Sequence, residues 1–235
     1  MLKIRRSADR YHARHGWLDT YHTFSFADYY DPQHMHFGPL RVINEDRIEA
    51  GQGFGKHPHR DMEIITYLVS GTLEHQDSMG NKEQIRAGEV QHMSAGTGVT
   101  HAEYNPNPEE ETHLLQIWII PDRMGVKPRY GQKSFAAALE KEPLVLVASK
   151  DGRDGSIPIY QDADMFVARL REGGSLHFDL KPKRGAWLQI VKGTVSLHGE
   201  ELKAGDGAAV TDEKVLEVVS RDKAEFILFD LPPFE

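Results

Sequence analysis

A short pattern occurs twice in this chain, and it limits the fold more than any other feature of the sequence. The run Val69-Ser-Gly-Thr-Leu73 resembles Val191-Lys-Gly-Thr-Val195. Further along each half, Ala87-Gly-Glu89 resembles Ala204-Gly-Asp206. Both halves therefore have a strand, a tight Gly-Thr turn, a second strand and a turn of glycine followed by an acid. The repeat predicts an all-β chain with two copies of one small β-barrel in tandem.

The rest of the chain also has the pattern of β-structure. Short runs rich in Val, Ile, Thr, Tyr and Phe alternate with Gly and Pro, at a spacing that fits a sandwich or barrel. The segment 126–143 contains Pro128 and Gly131, so we expect a linker there, with 133–139 as the best short helix. The predicted strands are 40–44, 62–69, 73–76, 90–93, 113–120, 144–148, 166–170, 186–191, 195–197, 208–210, 216–219 and 226–230.

Composition excludes several classes of protein. Lys and Arg total 28 against 36 for Asp and Glu, which gives a formal net charge of -8, whereas nucleic-acid-binding proteins normally carry the opposite balance. The chain has no cysteine, which excludes thiolate zinc sites, iron–sulfur clusters and cysteine nucleophiles. No apolar run is long enough for a membrane span or a signal peptide. We therefore predict a cytoplasmic protein with no nucleic-acid and no membrane partner.

The histidines are concentrated in the first half, where eleven of 13 lie at or before His113. His57 and His59 are two residues apart, which places both imidazoles on one face of a strand. His101 and Glu103 share a strand face in the same way. Two antiparallel strands that meet in a barrel would bring three imidazoles and one carboxylate together. Such donors suit a borderline divalent ion such as iron(II), manganese, cobalt, nickel, copper or zinc.

The residues around these side chains resemble the motifs of the cupin superfamily. Gly51-(x)5-His57-x-His59-(x)3-Glu63 is similar to its first motif. The run from Gly88 to His101-(x)3-Asn105 is similar to its second motif, with two departures. Ser94 stands where the general pattern has proline, and two extra residues precede His101.

These departures resemble one branch, the pirin family. The pirin signature is similar to Met93-Ser-Ala-Gly-Thr-Gly-Val-Thr-His101-Ala-Glu103 and to His57-Pro-His59-Arg60. An early block from Gly16 to Pro32 adds to the likeness. Asp61-Met62 and the run from Glu74 to Gln84 look most like bacterial pirin-like proteins with quercetin 2,3-dioxygenase activity.

The resemblance implies a bicupin, with two tandem jelly-roll-like β-barrels and a metal only in the first. Residues 1–125 would form the metal-binding cupin, 126–143 the linker, and 144–235 a cupin without metal ligands. The implied ligands are His57, His59, His101 and Glu103. The implied cofactor is one divalent transition metal, typically iron(II), with other divalent ions in relatives.

Glu63 is the rival carboxylate, because in many cupins the glutamate of the first motif is itself a ligand. Here the spacing from Glu63 to Gly71 is one residue longer than usual, and Glu103 lies beside His101. We therefore interpret Glu63 either as a residue that hydrogen-bonds to the ligands or as a structural residue, and not as a ligand.

The implied activity is a dioxygenase that opens a flavonol such as quercetin with O2 and releases a depside and carbon monoxide. Glu103 would be the catalytic base for the substrate 3-hydroxyl. Phe37, Phe54, Met93 and Tyr104 are the predicted substrate pocket, with polar contacts from Gln52, Gln116 or His22, whereas we expect Phe26 and Trp118 in the core.

The alternative function is a non-enzymatic, metal-dependent regulator that binds a protein partner. The mouth of the site discriminates between the two functions. An open apolar cavity favours an enzyme, and a closed or narrow one favours a sensor.

Overall fold

The two halves of the chain fold alike, as the repeated pattern predicts. The structure is a computed structural model, and it describes residues 1–233. The strands of the first half are β1 (Leu2–Arg5), β2 (Tyr11–His15), β3 (Leu18–His22), β4 (Leu40–Ile48), β5 (Gly53–His59), β6 (Glu63–Ser70), β7 (Thr72–Asp77), β8 (Lys82–Arg86), β9 (Glu89–Ser94), β10 (Val99–Tyr104), β11 (Thr112–Ile119) and β12 (Arg129–Ser134). Those of the second half are β13 (Leu144–Ser149), β14 (Ile157–Pro158), β15 (Asp164–Leu170), β16 (Ser175–Asp179), β17 (Gly185–Lys192), β18 (Thr194–Leu197), β19 (Glu200–Lys203), β20 (Gly207–Val210), β21 (Val215–Ser220) and β22 (Ala224–Leu231).

Each half forms a barrel from one seven-stranded and one four-stranded sheet. In the first barrel the large sheet has the order β12-β9-β6-β11-β4-β3-β2 and the small sheet the order β5-β10-β7-β8. In the second barrel the orders are β1-β20-β17-β22-β15-β13-β14 and β16-β21-β18-β19. Strand β10 of the first barrel therefore corresponds to β21 of the second. The all-β bicupin architecture predicted from the sequence is confirmed.

The large sheets are apolar on both faces because each packs on both sides. Their outer faces share one hydrophobic cluster, which joins residues such as Ile65 and Tyr67 of the first barrel to Val167 and Phe229 of the second. Their inner faces close the separate barrels. Burial on both faces explains why β6 reads as a nearly continuous apolar run rather than an alternating one.

Two edge strands lie where sequence reasoning did not place them. Strand β1, predicted to belong to the first domain, pairs with β20 of the second barrel. Strand β12, predicted as linker, pairs with β9 of the first barrel. Both are edge strands, and β12 is only half-buried along its length, so it lacks the apolar alternation that marks a strand.

The remaining differences from the predicted elements concern the helix and the chain end. The helix expected over 133–139 is shorter, because β12 runs to Ser134 and only α1 (Ala136–Leu139) is helical. The predicted second domain ends at residue 235, and its last two residues lie outside the described part of the chain. No helix among residues 1–233 is both long and apolar enough to span a membrane.

Candidate metal centre

The four predicted ligands lie on two paired strands of the small sheet in the first barrel. His57 and His59 are on β5, and His101 and Glu103 are on β10, which runs antiparallel to it. His101 is directly opposite His57, and a bulge separates the registers of His101 and Glu103. Such irregularities redirect side chains and are frequent beside active sites. Gly53 fits the same irregular strand, because a Cβ there would lie 2.3 Å from the Cα of Tyr104.

The three imidazoles converge through the same ring atom. The Nε2 atom of His101 is 2.9 Å from that of His57 and 2.8 Å from that of His59. Two ligands held at right angles, each about 2.1 Å from a metal ion, would lie about 3.0 Å apart. The spacing of the three nitrogens therefore fits coordination of one ion on a shared face.

The protonation state of the rings also suits a metal. Nδ1 of His57 lies 2.8 Å from the carbonyl oxygen of Gly55, so Nδ1–H donates and the lone pair is on Nε2. Burial lowers the pKa of His59 to about 4 and that of His101 to about 2, with a further contribution from neighbouring imidazoles. Both rings are therefore neutral near pH 7 and able to bind a cation.

Glu103 completes the donor set with a buried carboxylate. Its Oε2 lies 4.0 Å from Nε2 of His101 and accepts a hydrogen bond of 3.0 Å from Nε2 of Gln116. Its Oε1 is buried and has no hydrogen-bond partner among the described residues. Burial raises the pKa of Glu103 to about 7, and the nearby Asp46 carboxylate adds to the rise. An unpartnered carboxylate oxygen beside three neutral imidazoles is what a divalent cation would satisfy.

A buried chain behind His101 was missed by sequence reasoning. Nε2 of His75 lies 3.1 Å from Oδ2 of Asp77, and Nδ1 of His75 lies 3.5 Å from Nδ1 of His101. Asp77 can only accept, so Nε2 of His75 carries the proton and its Nδ1 accepts from Nδ1–H of His101. This fixes the His101 tautomer with its lone pair on Nε2. The His-x-Asp spacing on β7 was the available signal, since it repeats the two-residue spacing of the ligands.

Replacing Asp77 with asparagine should weaken metal binding without removing a ligand. The amide no longer holds the His75 ring in one tautomer, so we expect the metal dissociation constant to rise about 10- to 100-fold. Competition with a chromogenic chelator measures this. Gln76→Ala is the matched control, because Gln76 is the exposed residue between them on β7. Equal metal affinities for the two variants would show that the hydrogen bonds from Asp77 through His75 to His101 do not affect metal binding.

The pH dependence of metal affinity follows from the raised pKa of Glu103. A metal must displace the proton that Glu103 carries below about pH 7, so affinity should fall as the pH drops through that value. Between pH 7 and pH 6 we expect the wild type to lose about fivefold more affinity than the Glu103→Gln variant, because the ionised fraction of Glu103 falls by that factor. Chelator competition at each pH checks this. Parallel pH profiles for the two proteins would contradict a role for Glu103 as a ligand.

A cavity of about 390 Å³ opens beside the ligating nitrogens, between the two sheets of the first barrel. Its apolar walls come from Leu18, Phe26, Phe54, Pro58 and Trp118, and its metal side comes from His57, His59 and Glu103. The volume lies within the range of sites that take small aromatic ligands. Phe26 and Trp118, expected in the core, therefore line the site, with their ring centroids 5.2 Å apart.

Only Phe54 of the four predicted pocket residues lies on this cavity. Tyr104 has the opposite strand parity to His101 and Glu103, so it faces outward and is 41% exposed. Met93 is fully buried in a small apolar cluster with Ile64. Phe37 precedes β4 and packs near Trp187 of the second barrel, at a ring distance of 5.7 Å. These three assignments are corrected, because aromatic type alone does not tell which side of a sheet a residue faces.

The cavity also has a polar side, which sequence reasoning largely missed. Of the three predicted polar contacts, His22 and Gln116 line it together with Thr20, Asn44 and Asp46, whereas Gln52 does not. Thr20 donates to the Asp46 carboxylate. Burial raises the pKa of Asp46 to about 7 and lowers that of His22 to about 4.

Glu63 makes no hydrogen bond to the proposed ligands, so of its two predicted roles the structure agrees with the structural one. It lies on β6 at the parity of Ile65, whose side chain points toward the second barrel. Its carboxylate accepts hydrogen bonds from His92 (2.7 Å), Ser94 (2.9 Å) and the backbone N–H of Tyr160 (3.1 Å). Although burial acts in the opposite direction, these bonds lower its pKa. Glu63 therefore helps to join the barrels.

Comparisons with family models and with individual proteins agree on one family. Residues 3–119 match the family described as Pirin, and residues 146–231 match the one described as Quercetinase C-terminal cupin domain. A protein of Escherichia coli named quercetin 2,3-dioxygenase is 53% identical over 99% of this chain and 100% of its own length. A pirin-like protein of Caulobacter vibrioides is 44% identical over 93% of this chain and 94% of its own length.

A solved structure extends the likeness to the fold. The bacterial pirin YhhW from Escherichia coli, in complex with nickel(II), is 50% identical and superposes with a TM-score of 0.95 over 100% of both chains. That relative binds a divalent metal, and the described residues here contain a His57–His59–His101 cluster with ligand atoms close together.

Proposed function

The chain belongs to the pirin family, and from this premise we propose that it is a metal-dependent dioxygenase that cleaves a flavonol such as quercetin with O2. The products would be a depside and carbon monoxide, so that both atoms of O2 enter the depside. We further propose that His57, His59, His101 and Glu103 hold one iron(II) ion. The donor set also accepts other borderline ions, including nickel(II), which is bound by the relative YhhW.

The observation that carries the proposal is the position of the cavity. His57, His59 and Glu103 line one wall of a 390 Å³ cavity, and Nε2 of His101 lies within 2.9 Å of the Nε2 atoms of both histidines, so a ligand in the cavity could reach an ion held there. A metal needed only for folding would be enclosed by four protein ligands with no adjacent cavity. The open cavity favours an enzyme over a sensor that binds a protein partner.

The residues of the cavity have different roles in the proposed reaction. When bound, the ion supplies a Lewis acid that favours the ionised form of the substrate 3-hydroxyl. Glu103 takes the proton of that hydroxyl on its unpartnered Oε1. Phe26, Phe54 and Trp118 pack against the flat rings of the substrate and exclude water, which protects the reacting carbon atoms.

The experiment is anaerobic loading with iron(II), followed by addition of quercetin and O2. Loss of flavonol absorbance together with release of carbon monoxide supports the proposal. Parallel samples loaded with manganese, cobalt, nickel or copper show which ion supports turnover. Absence of turnover with every one of these ions would contradict it.

A further inference from the structure

The polar side of the cavity has no structural counterpart in the second barrel. We name Thr20, His22, Asn44, Asp46 and Gln116 the polar floor, since all five line the cavity from the large sheet. They occupy adjacent cross-strand positions: His22 pairs with Asn44, which pairs with Gln116, and Thr20 pairs with Asp46. Directly paired residues share one face of a sheet. The floor is thus a continuous polar block on the inner face of a barrel.

The internal repeat shows which residues the second barrel has at the positions of the polar floor. Thr66, which pairs with Gln116, lies five residues before the glycine of its Gly-Thr turn, and Leu188 lies five residues before the corresponding Gly193. The sheet registers then match the floor with residues 144, 146, 166, 168 and 228 of the second barrel, which are Leu144, Leu146, Phe166, Ala168 and Leu228.

All five matching residues are apolar, and four of them belong to the hydrophobic core of the second barrel or pack against it. The same fold therefore closes with an apolar interior at these positions. The polar residues of the first barrel are not required by the architecture. Burying polar side chains is unfavourable unless they gain partners, so their presence indicates a ligand.

The floor and the adjacent wall also contain unpartnered polar atoms. Among residues 1–233, nine buried side-chain nitrogen or oxygen atoms have no hydrogen-bond partner. Apart from Oε1 of Glu103, which the proposed ion and the 3-hydroxyl would satisfy, three of the nine belong to residues that line this cavity: Nδ1 of His22, Oδ1 of Asn44 and Nε1 of Trp118. Asn44 is 4% exposed, so bulk water does not satisfy its oxygen. That oxygen can accept hydrogen bonds from hydroxyl groups.

We propose that the polar floor binds phenolic hydroxyl groups of the substrate other than the one at the metal. The inference rests on the proposed function and names its substrate class: flavonols that carry further hydroxyl groups on their rings. Asn44 and Asp46 are the residues that select for them, because they lie next to each other on one strand face and offer hydrogen-bond acceptors. A flavonol without those hydroxyls would leave the acceptors buried and unpaired.

The test measures binding rather than turnover, so it separates this inference from the proposed activity. Protein loaded with iron(II) is titrated without O2 with quercetin and with 3-hydroxyflavone, which keeps the 3-hydroxyl and 4-carbonyl but lacks the other hydroxyls. We expect quercetin to bind the wild type about tenfold more tightly or better. Equal affinities would overturn the inference, whereas a retained preference without any oxygen-dependent cleavage would refute only the proposed function.

Two variants test whether the polar floor causes the preference for quercetin over 3-hydroxyflavone. Asn44→Leu is nearly isosteric, and Asp46→Ala introduces the residue that the second barrel has at the matching position. Each should reduce the preference for quercetin over 3-hydroxyflavone about tenfold, with metal content unchanged. Thr23→Val is the control, because Thr23 is also buried with an unpartnered hydroxyl but does not line the cavity. Folded, metal-loaded floor variants that keep the wild-type ratio would overturn the inference.

Discussion

Replacing His101 with alanine is expected to abolish metal binding and to reduce flavonol turnover by about a thousandfold or more. His101 is central to the proposed ligand set, since its Nε2 lies within 2.9 Å of the Nε2 atoms of both His57 and His59. Without it, the remaining two imidazoles and the carboxylate no longer surround one position. Elemental analysis should find close to one metal ion per wild-type chain and almost none in the variant.

The control for this prediction is His177→Ala. His177 is an exposed residue of β16 in the second barrel, on the strand that corresponds to β5. Its removal should leave metal content and turnover unchanged. Circular dichroism and thermal unfolding establish that both variants are folded. A folded His101→Ala protein that keeps its metal would show that the ion binds elsewhere.

Replacing Glu103 with glutamine is expected to have the second-largest effect, a fall in kcat of about 10²- to 10⁴-fold at saturating metal. Glutamine preserves the size of the side chain but cannot take a proton from the 3-hydroxyl. The three imidazoles remain, so the variant should still bind metal, with lower affinity. Steady-state kinetics at several metal concentrations separate the lost proton transfer from weaker metal binding.

Glu63→Gln is the matched control for Glu103→Gln. Both carboxylates are buried, but Glu63 contacts His92, Ser94 and Tyr160 at the junction of the barrels instead of the metal ligands. Its replacement should lower thermal stability and leave the metal affinity as in the wild type. A kcat for Glu103→Gln within twofold of the wild type would show that Glu103 is not the catalytic base.

The sequence predicts that the four side chains lie close together, because neighbouring positions of a strand alternate between its two faces. In both His57-x-His59 and His101-x-Glu103 the two-residue spacing puts the side chains on one face, and antiparallel pairing of β5 with β10 brings the faces together. The repeated Gly-Thr turn likewise predicts the duplicated barrel, because a tight turn fixes the register of the strands that flank it.

The substrate pocket could not be predicted in the same way, because it depends on which face of each strand is inside. Strand parity alone could have placed Tyr104 on the face opposite Glu103, but it could not show that Glu63, on a large sheet, points toward the other barrel. Both faces of the large sheets are buried, so hydrophobic alternation does not separate inside from outside. Asn44 was missed for the same reason, and Asp46 was missed because β4 continues past its predicted end at residue 44.

The positions of the edge strands β1 and β12 could not be predicted for a different reason. A half-exposed edge strand such as β12 needs few apolar side chains, and its place is determined by backbone hydrogen bonds to β9. Pairing between segments far apart in the chain leaves no local pattern. The pairing of β1 with β20, about two hundred residues apart, is the extreme case.

The most direct test of the central claim is anomalous diffraction from crystals of the metal-loaded protein. The account predicts one strong peak in the first barrel, about 2.0 to 2.3 Å from the Nε2 atoms of His57, His59 and His101, with Glu103 beside it and the cavity open on the other side. A peak in the second barrel, or none near these three nitrogens, would contradict it.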